Sequence, residues 1–241
     1  MKISVVIPAF NEEKLIGATL ASVRNAMEVF TGVGAESELI VCDNNSTDRT
    51  AELARAAGAT VVFEPVNQIA RARNRGAEAA TGDWLIFVDA DSHPSCELFA
   101  DVHVAIVSGR YLFGGCTIKY DAFPLMWGVG TWIWNQISRV CKYSAGSFFF
   151  CETAAFRKVG GFDNRLFAAE EIDLSRRLKR LAKGCGKQAV ILHRHPLVTS
   201  ARKVHLYSTR ELAWFLAKSI FRWRSTVTDP SACHPWYDGR R

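Results

Sequence analysis

What the chain lacks narrows it first. Its seven cysteines are an odd number and contain no C-x-x-C pair, which argues against a disulfide framework or a structural zinc site. Cysteines used this way fit a reducing, cytoplasmic setting. No apolar run reaches the roughly 20 residues that a membrane-crossing helix needs. Neither a P-loop nor the glycine fingerprint of a Rossmann dinucleotide site occurs. Internal repeats and low-complexity linkers are also missing. The opening MKISVVIPAFNEE does not read as a secretory leader, because Pro8 and two glutamates follow a short apolar run.

What is present fits one globular domain. The chain has 241 residues, 49% apolar and 22% charged, enough for one full core and short of two. The formal charge of +6 is unevenly spread. Acids outnumber bases in residues 1–110, and the remainder carries roughly twice as many bases as acids. A basic half suits an anionic ligand, an anionic membrane surface or simply a solvated face. Nucleic acid is not expected, since no recognised binding motif accompanies the bases.

Strand and helix patterns alternate through the first 90 residues. ISVVI (3–7) reads as a buried strand stopped by Pro8, and Glu12 to Phe30 carries apolar residues at helical spacing with Asn11 as a candidate cap. Leu39–Cys42, Thr60–Phe63 and Trp84–Val88 read as further strands, and Thr47–Ala57 and Gln68–Ala80 as helices. This order predicts an α/β fold, a mainly parallel central sheet with helices on both faces. The strands are continuous apolar runs, as strands buried on both sides should be. Beyond residue 110 the pattern is less regular. YLFGGCTIKYD and QAVILHRH suggest strands, AEEIDLSRRLKRLAKGCG a helix, and STRELAWFLAKSIFRWRS a last amphipathic helix. The expected division is a ligand-binding half at 1–110, a second half at 111–205 and a C-terminal helix and tail at 206–241.

In a parallel sheet of this kind ligands bind beyond the carboxyl ends of the strands. Phe10, Glu12, Asp43 and the stretch Asp89-Ala90-Asp91 all follow strands directly, so they should share one edge. Two carboxylates side by side repel, and a divalent cation held between them and an anionic substrate relieves the repulsion. Asp-x-Asp is weak by itself, because aspartate is common in turns.

Four motifs in order make the pattern specific: VVIPAFNEE, DNNSTDRT, ARNRGAEAATGDWLIFVDADS and GGFDNRLFAAEEIDLSRRL. Together they resemble a family 2 glycosyltransferase of the GT-A fold, over most of residues 1–195. The resemblance implies a nucleoside diphosphate sugar donor and Mn²⁺ or Mg²⁺ as cofactor. It implies that Pro8, Phe10 and Glu12 line the nucleotide site, with Phe10 where the family usually has tyrosine. It places Asp43 on the base or ribose, Asp89 and Ala90 beside the ribose or metal, and Asp91 on the metal. Arg73, ahead of the fourth strand, could reach phosphates, although Arg71 and Arg75 at the same spacing make a solvated stripe an equal reading.

Members of the family invert the anomeric carbon with a carboxylate base, written Glu-Asp at a helix start. This chain offers Glu170-Glu171. Leu174, Leu178 and Leu181 form one stripe, and both glutamates flank it one turn earlier, so both can point inward. Asp173 lies further round, where Arg177 can pair with it at i+4. Glu171 is the expected base, with Glu170 orienting the acceptor. Many relatives place a metal-ligating histidine after the late apolar run, and His193 fits that position better than His195. The acceptor is an unidentified glycan or a lipid, hydroxyl or lipid phosphate. FPLMWGVGTWIWNQI and the C-terminal amphipathic stretch add a candidate peripheral contact with an anionic membrane at the inner face, as in cell-envelope assembly. The rival readings are a catalytically inactive relative that binds nucleotide or membrane, and a nucleotidyltransferase. The acidic, glycine-free PAFNEE loop opposes the latter.

Overall fold

The computed structural model describes residues 1–121, 125–144, 146–202, 227–229 and 233. The first half runs β1 (Lys2–Ala9), α1 (Ile16–Gly32), β2 (Glu36–Asp43), α2 (Thr50–Ala56), β3 (Thr60–Phe63), α3 (Ile69–Ala79) and β4 (Trp84–Val88). A short β5 (Ser92–His93) leads into α4 (Cys96–Val107) and β6 (Tyr111–Tyr120). Then come α5 (Leu125–Cys141), β7 (Phe148–Glu152), α6 (Thr153–Lys158), α7 (Glu170–Gly184) and β8 (Gln188–Thr199). The expected C-terminal helix lies outside the described residues.

Among the described residues the strands form one sheet, ordered β3-β2-β1-β4-β7-β6-β8-β5. The β3-β2-β1-β4 half is parallel, as the alternation of patterns predicts. Beyond β4 the sheet is mixed: β7 runs antiparallel to β4 and β6, β8 runs parallel to β6, and β5 antiparallel to β8. The irregular sequence after residue 110 thus extends the same sheet.

Alternation along the strands sorts the core into two layers, because successive side chains point to opposite faces. Val5, Ile7, Ile86, Val88, Phe148 and Phe150 pack with α1 and α4. Val6, Leu85, Phe87, Phe149 and Cys151 pack with α3, α6 and α7. α3 approaches the sheet closely: a Cβ on Gly76 would come within 2.3 Å of Val6 Cγ1. That approach sets the depth at which Arg73, one turn earlier, enters the fold.

Two helix starts differ from the sequence reading. α1 begins at Ile16 rather than Glu12, and no side chain caps it. Asn11 instead takes a left-handed turn with φ 51°, a conformation that asparagine tolerates better than most residues. Its carboxamide accepts the Thr47 N–H at 2.8 Å, tying the β1 and β2 loops together. α2 begins at Thr50, because Asp48 accepts the Thr50 N–H and fixes the preceding turn.

Candidate active site

Strand register brings the predicted residues to one edge. Ala9 pairs with Asp43 and Val6 with Phe87, so Phe10, Asp43 and Asp89 leave the sheet at nearly the same level. Pro8 lies past the last β1–β4 pair, where its missing N–H leaves no gap in that ladder. Phe10 is half-buried beside it. Asp43 accepts the Ser46 N–H at 3.0 Å, a local side-chain-to-backbone bond that shapes the loop after β2. Ala90 is buried, and its carbonyl accepts from the Thr19 hydroxyl at 2.7 Å, which anchors the Asp-Ala-Asp turn to α1.

The two aspartates of that turn face different partners. Asp89 looks inward to Arg73, which is 1% exposed. Arg73 Nη2 donates to Asp89 Oδ1 at 2.9 Å and to the Gly146 carbonyl at 2.6 Å. Arg73 Nη1 donates to Glu170 Oε1 at 2.6 Å. The guanidinium also lies 5.3 Å from the Phe162 ring centroid. Burial works against the Arg73 charge, and Asp89, Glu170 and Glu171 more than offset it, so its pKa stands above the ordinary value.

Asp91 looks outward to Arg202. Arg202 clamps the Glu12 carboxylate with two hydrogen bonds of 2.8 and 2.9 Å, and its Nη2 lies 3.6 Å from Asp91 Oδ2. The Ser200 N–H donates to the Asp91 carbonyl, which fixes the end of β8 against the turn. Arg202, three residues past the end of β8, left little signal in the amino-acid pattern. Its only signal was its place after a strand that ends at the ligand-binding edge.

Glu170 and Glu171 open α7, behind Ala169 in a left-handed conformation of φ 60°. A non-glycine residue held there stores strain of the kind that collects at functional sites. Glu170 spends one oxygen on Arg73. Glu171 borders a cavity of about 80 Å³ lined also by Arg73, Asp89, Gly146 and Phe167. Burial pushes the Glu171 carboxyl up to about 8, the Glu170 charge adds to the shift, and Arg73 opposes it. Asp173 pairs with Arg177 at 2.7 Å, and Leu174 and Leu178 are fully buried, as the helical stripe predicts.

Two expected residues are placed differently. Arg73 is committed to carboxylates and a carbonyl inside the fold rather than turned toward a phosphate. Its helix packs tightly on the sheet, and the buried guanidinium borders the small cavity beside Glu171. His193 is exposed and lines a separate groove with Val104, Arg110 and Arg194. Leu192 pairs with Cys116 and Thr199 with Tyr120, with a bulge between them, which sets Leu192, next to His193, about 13 Å back along the sheet from the Asp91 end. His195 bonds Asp101 at 3.0 Å. Among the described residues no three His, Cys, Asp or Glu side chains gather as a metal-ion cluster.

The model of the family described as glycosyl transferase family 2 matches residues 4–162, about two thirds of the chain. The chain belongs to that family. It is similar to the probable glycosyltransferase YdaM of Bacillus subtilis, with 27% identity over 206 residues, covering 75% of this chain and 47% of that protein. The curated relatives it matches are longer, and the chain spans less than half of YdaM. Among solved structures it resembles the mannosyltransferase PcManGT of Pyrobaculum calidifontis in complex with GDP-Man and Mn²⁺, with a TM-score of 0.70, 17% identity, and coverage of 97% of this chain and 68% of that one. It also resembles the glucosyl-3-phosphoglycerate synthase of Mycobacterium tuberculosis in complex with Mn²⁺, UDP and phosphoglyceric acid, with a TM-score of 0.60, 21% identity, and coverage of 95% and 80%. These likenesses show a GT-A fold.

Proposed function

We propose that this family 2 chain transfers a sugar from a nucleoside diphosphate sugar to a hydroxyl or lipid-phosphate acceptor, with inversion at the anomeric carbon. The observation that carries the reading is that Glu171 and Asp89, the first residue of the Asp-Ala-Asp turn, line one small cavity at the carboxyl edge of the parallel strands. Phe10, Asp43 and Glu12 border the same edge and offer a stacking surface and hydrogen-bond acceptors for a nucleoside.

A divalent cation fits this edge. Glu12 and Asp91 already converge on one cation, the Arg202 guanidinium, and their oxygens are the hard donors that Mn²⁺ and Mg²⁺ prefer. Asp91, with Glu12 beside it, would hold the ion, which would supply charge stabilisation for the departing diphosphate, while Asp89 stays paired with Arg73. Among the described residues the buried Arg202 Nε–H has no hydrogen-bond partner, so this guanidinium retains a donor for a phosphate oxygen.

The acceptor hydroxyl attacks the anomeric carbon from the face opposite the diphosphate. Its oxygen forms the new glycosidic bond while the bond to the diphosphate oxygen breaks. Glu171 takes the hydroxyl proton. Its raised pKa makes it a stronger base than an exposed carboxylate, at the cost that it must first lose its own proton. Arg73 holds Asp89 and Glu170 in place and keeps water from the inner wall. A lipid-phosphate acceptor arrives ionised and leaves Glu171 with no proton to remove.

The test is the melting temperature with UDP, GDP or dTDP, each with Mn²⁺ or with chelator. Ligand binding to the native state raises it by mass action. One nucleotide should give a metal-dependent rise that Asp91→Ala abolishes. No rise with any nucleotide would remove the transferase reading in favour of an inactive relative.

A further inference from the structure

The helix α5 is built inside out. Its polar side chains serve the fold: Asn135 Nδ2 donates to the Ile118 carbonyl at 2.9 Å, Asn135 Oδ1 accepts the Ile118 N–H at 3.1 Å, and the buried Ser138 hydroxyl donates to the Tyr143 carbonyl. Among the described residues, five of its large apolar side chains face away. Val129 is 62% exposed, Trp132 62%, Ile133 46%, Ile137 45% and Val140 81%. The spacing 129, 133, 137 and 140 makes them one continuous face, with Trp132 on its flank. A helix of a water-surrounded domain turns the opposite way, and a contiguous exposed apolar stripe marks a docking surface.

Charge chooses the occupant. α5 contains no Asp or Glu over its 17 residues. Its C-terminal end meets a cluster of cations: Arg139 and Lys142 in sequence, and Arg176 and Lys179 stacked against Tyr143. Lys179 also donates to the Cys141 carbonyl at the end of the helix. Arg110 and Arg194 line the groove beside Val140, and the one acid among its described lining residues, Asp101, is held by His195. An apolar stripe with a tryptophan, no acids and a basic end has the composition of a helix that lies in a membrane interface. No helix among the described residues is long and apolar enough to cross a membrane, so the contact is in-plane.

We propose that α5 seats this protein on an anionic lipid surface, with Val129, Trp132, Ile133, Ile137 and Val140 among the acyl-chain ends and the cation cluster on the headgroups. α5 follows β6, whose last residue Tyr120 pairs with Thr199 beside the Asp91 turn, so the seated face adjoins the site edge. The proposal does not depend on the identity of any donor or acceptor.

Flotation of the full chain with vesicles of phosphatidylcholine plus phosphatidylglycerol, against phosphatidylcholine alone, tests it. The wild type should float with the anionic vesicles and lose most of that binding in high salt. Ile133→Glu should weaken partitioning about tenfold or more while keeping the wild-type melting temperature, because Ile133 is already half in water. Arg139→Gln with Lys142→Gln should erase the preference for anionic over neutral vesicles. Failure of the wild type to float would overturn the proposal, as when another part of the chain covers the stripe. Flotation that Ile133→Glu leaves intact would also overturn it. So would a wild-type dimer that Ile133→Glu converts to monomer, which would assign the stripe to a second copy.

Discussion

Removing Arg73 is the sharpest perturbation the site allows. Its side chain is 2% exposed and bridges Asp89 and Glu170, whose side chains are 20% and 5% exposed. Arg73→Met keeps a stem of similar length and deletes the charge. Glu170 is then a buried carboxylate without its cation, and the Gly146 carbonyl loses its donor. Breaking a buried pair from one side costs about 3–5 kcal/mol, because the remaining charge is uncompensated. At about 2–4 °C per kcal/mol for a chain of this size, the melting temperature should fall by roughly 6–20 °C. Urea unfolding followed by circular dichroism gives the loss directly, with the slope reporting whether the native state stays compact.

The partner variant separates charge from packing. Glu170→Gln alone removes one carboxylate and leaves Arg73 bonded to Asp89 and Gly146. In the double variant the uncompensated Glu170 charge is gone, so the loss should be smaller than the sum of the two, with a coupling of about 0.5–3 kcal/mol. A loss below about 1 kcal/mol for Arg73→Met, or strict additivity, would refute the view that this guanidinium holds the inner wall by pairing.

Three further outcomes follow from the same geometry. The folded Glu171 carboxyl titrates well above its ordinary 4.5, so the stability it contributes is full below about pH 4.5 and is lost as pH rises to about 8. Wild-type melting temperature should therefore fall more steeply than that of Glu171→Gln between about pH 5 and about pH 8, and equal slopes would contradict the shift. Where Glu171 serves as base, kcat/KM should climb with pH through the same region. Arg202→Gln should cost about 1.5–3 kcal/mol through its charged hydrogen bonds to Glu12. Mn²⁺ alone should then raise the variant's melting temperature more than the wild type's, because the ion takes over the lost cation's place. Gly76→Ala should cost about 1–3 kcal/mol by pushing α3 off Val6, read as a drop in the urea midpoint.

The parallel half of the fold was legible because its signals are local. Each strand there is a short apolar run with a turn residue at its end, and the β1–β2 and β2–β3 contacts join successive strands through one helix. The strand-end placement of Asp43, Asp89 and Asp91 follows from that order without side-chain detail. The second half was not legible in the same way. α5 lies in the tryptophan-rich stretch that the sequence marks as a candidate membrane contact, but which of its faces turns inward is set by Asn135 and Ser138, whose hydrogen bonds depend on where Ile118 and Tyr143 end up. His193 looked like a strand-end residue, and a bulge between Leu192 and Leu197 moved it away from the end. Long-range pairing leaves no trace in composition, which is why Arg202 escaped notice 190 residues from Glu12.

The inward course of Arg73, a candidate phosphate contact in the sequence, was hidden for a different reason, and that reason explains the turn it supports. Three arginines at alternate positions, 71, 73 and 75, look like a solvated stripe. The structure divides them: Arg75 pairs with Glu78 at the surface, Arg71 bonds Gln68, and Arg73 alone enters the fold. The glycine at 76 makes the entry possible by letting the helix down onto Val6. Once inside, Arg73 gives Asp89 a fixed inward partner, so the neighbouring Asp91 is the carboxylate left to the outer edge. Two aspartates two residues apart would otherwise compete for one cation and repel each other. With one arginine below the turn and another beyond it, each aspartate has its own counter-charge. The outer counter-charge, Arg202, is the more exposed at 17%, against 2% for Arg73. It is therefore the one that a metal ion can replace, while Arg73 keeps the inner wall fixed through the exchange.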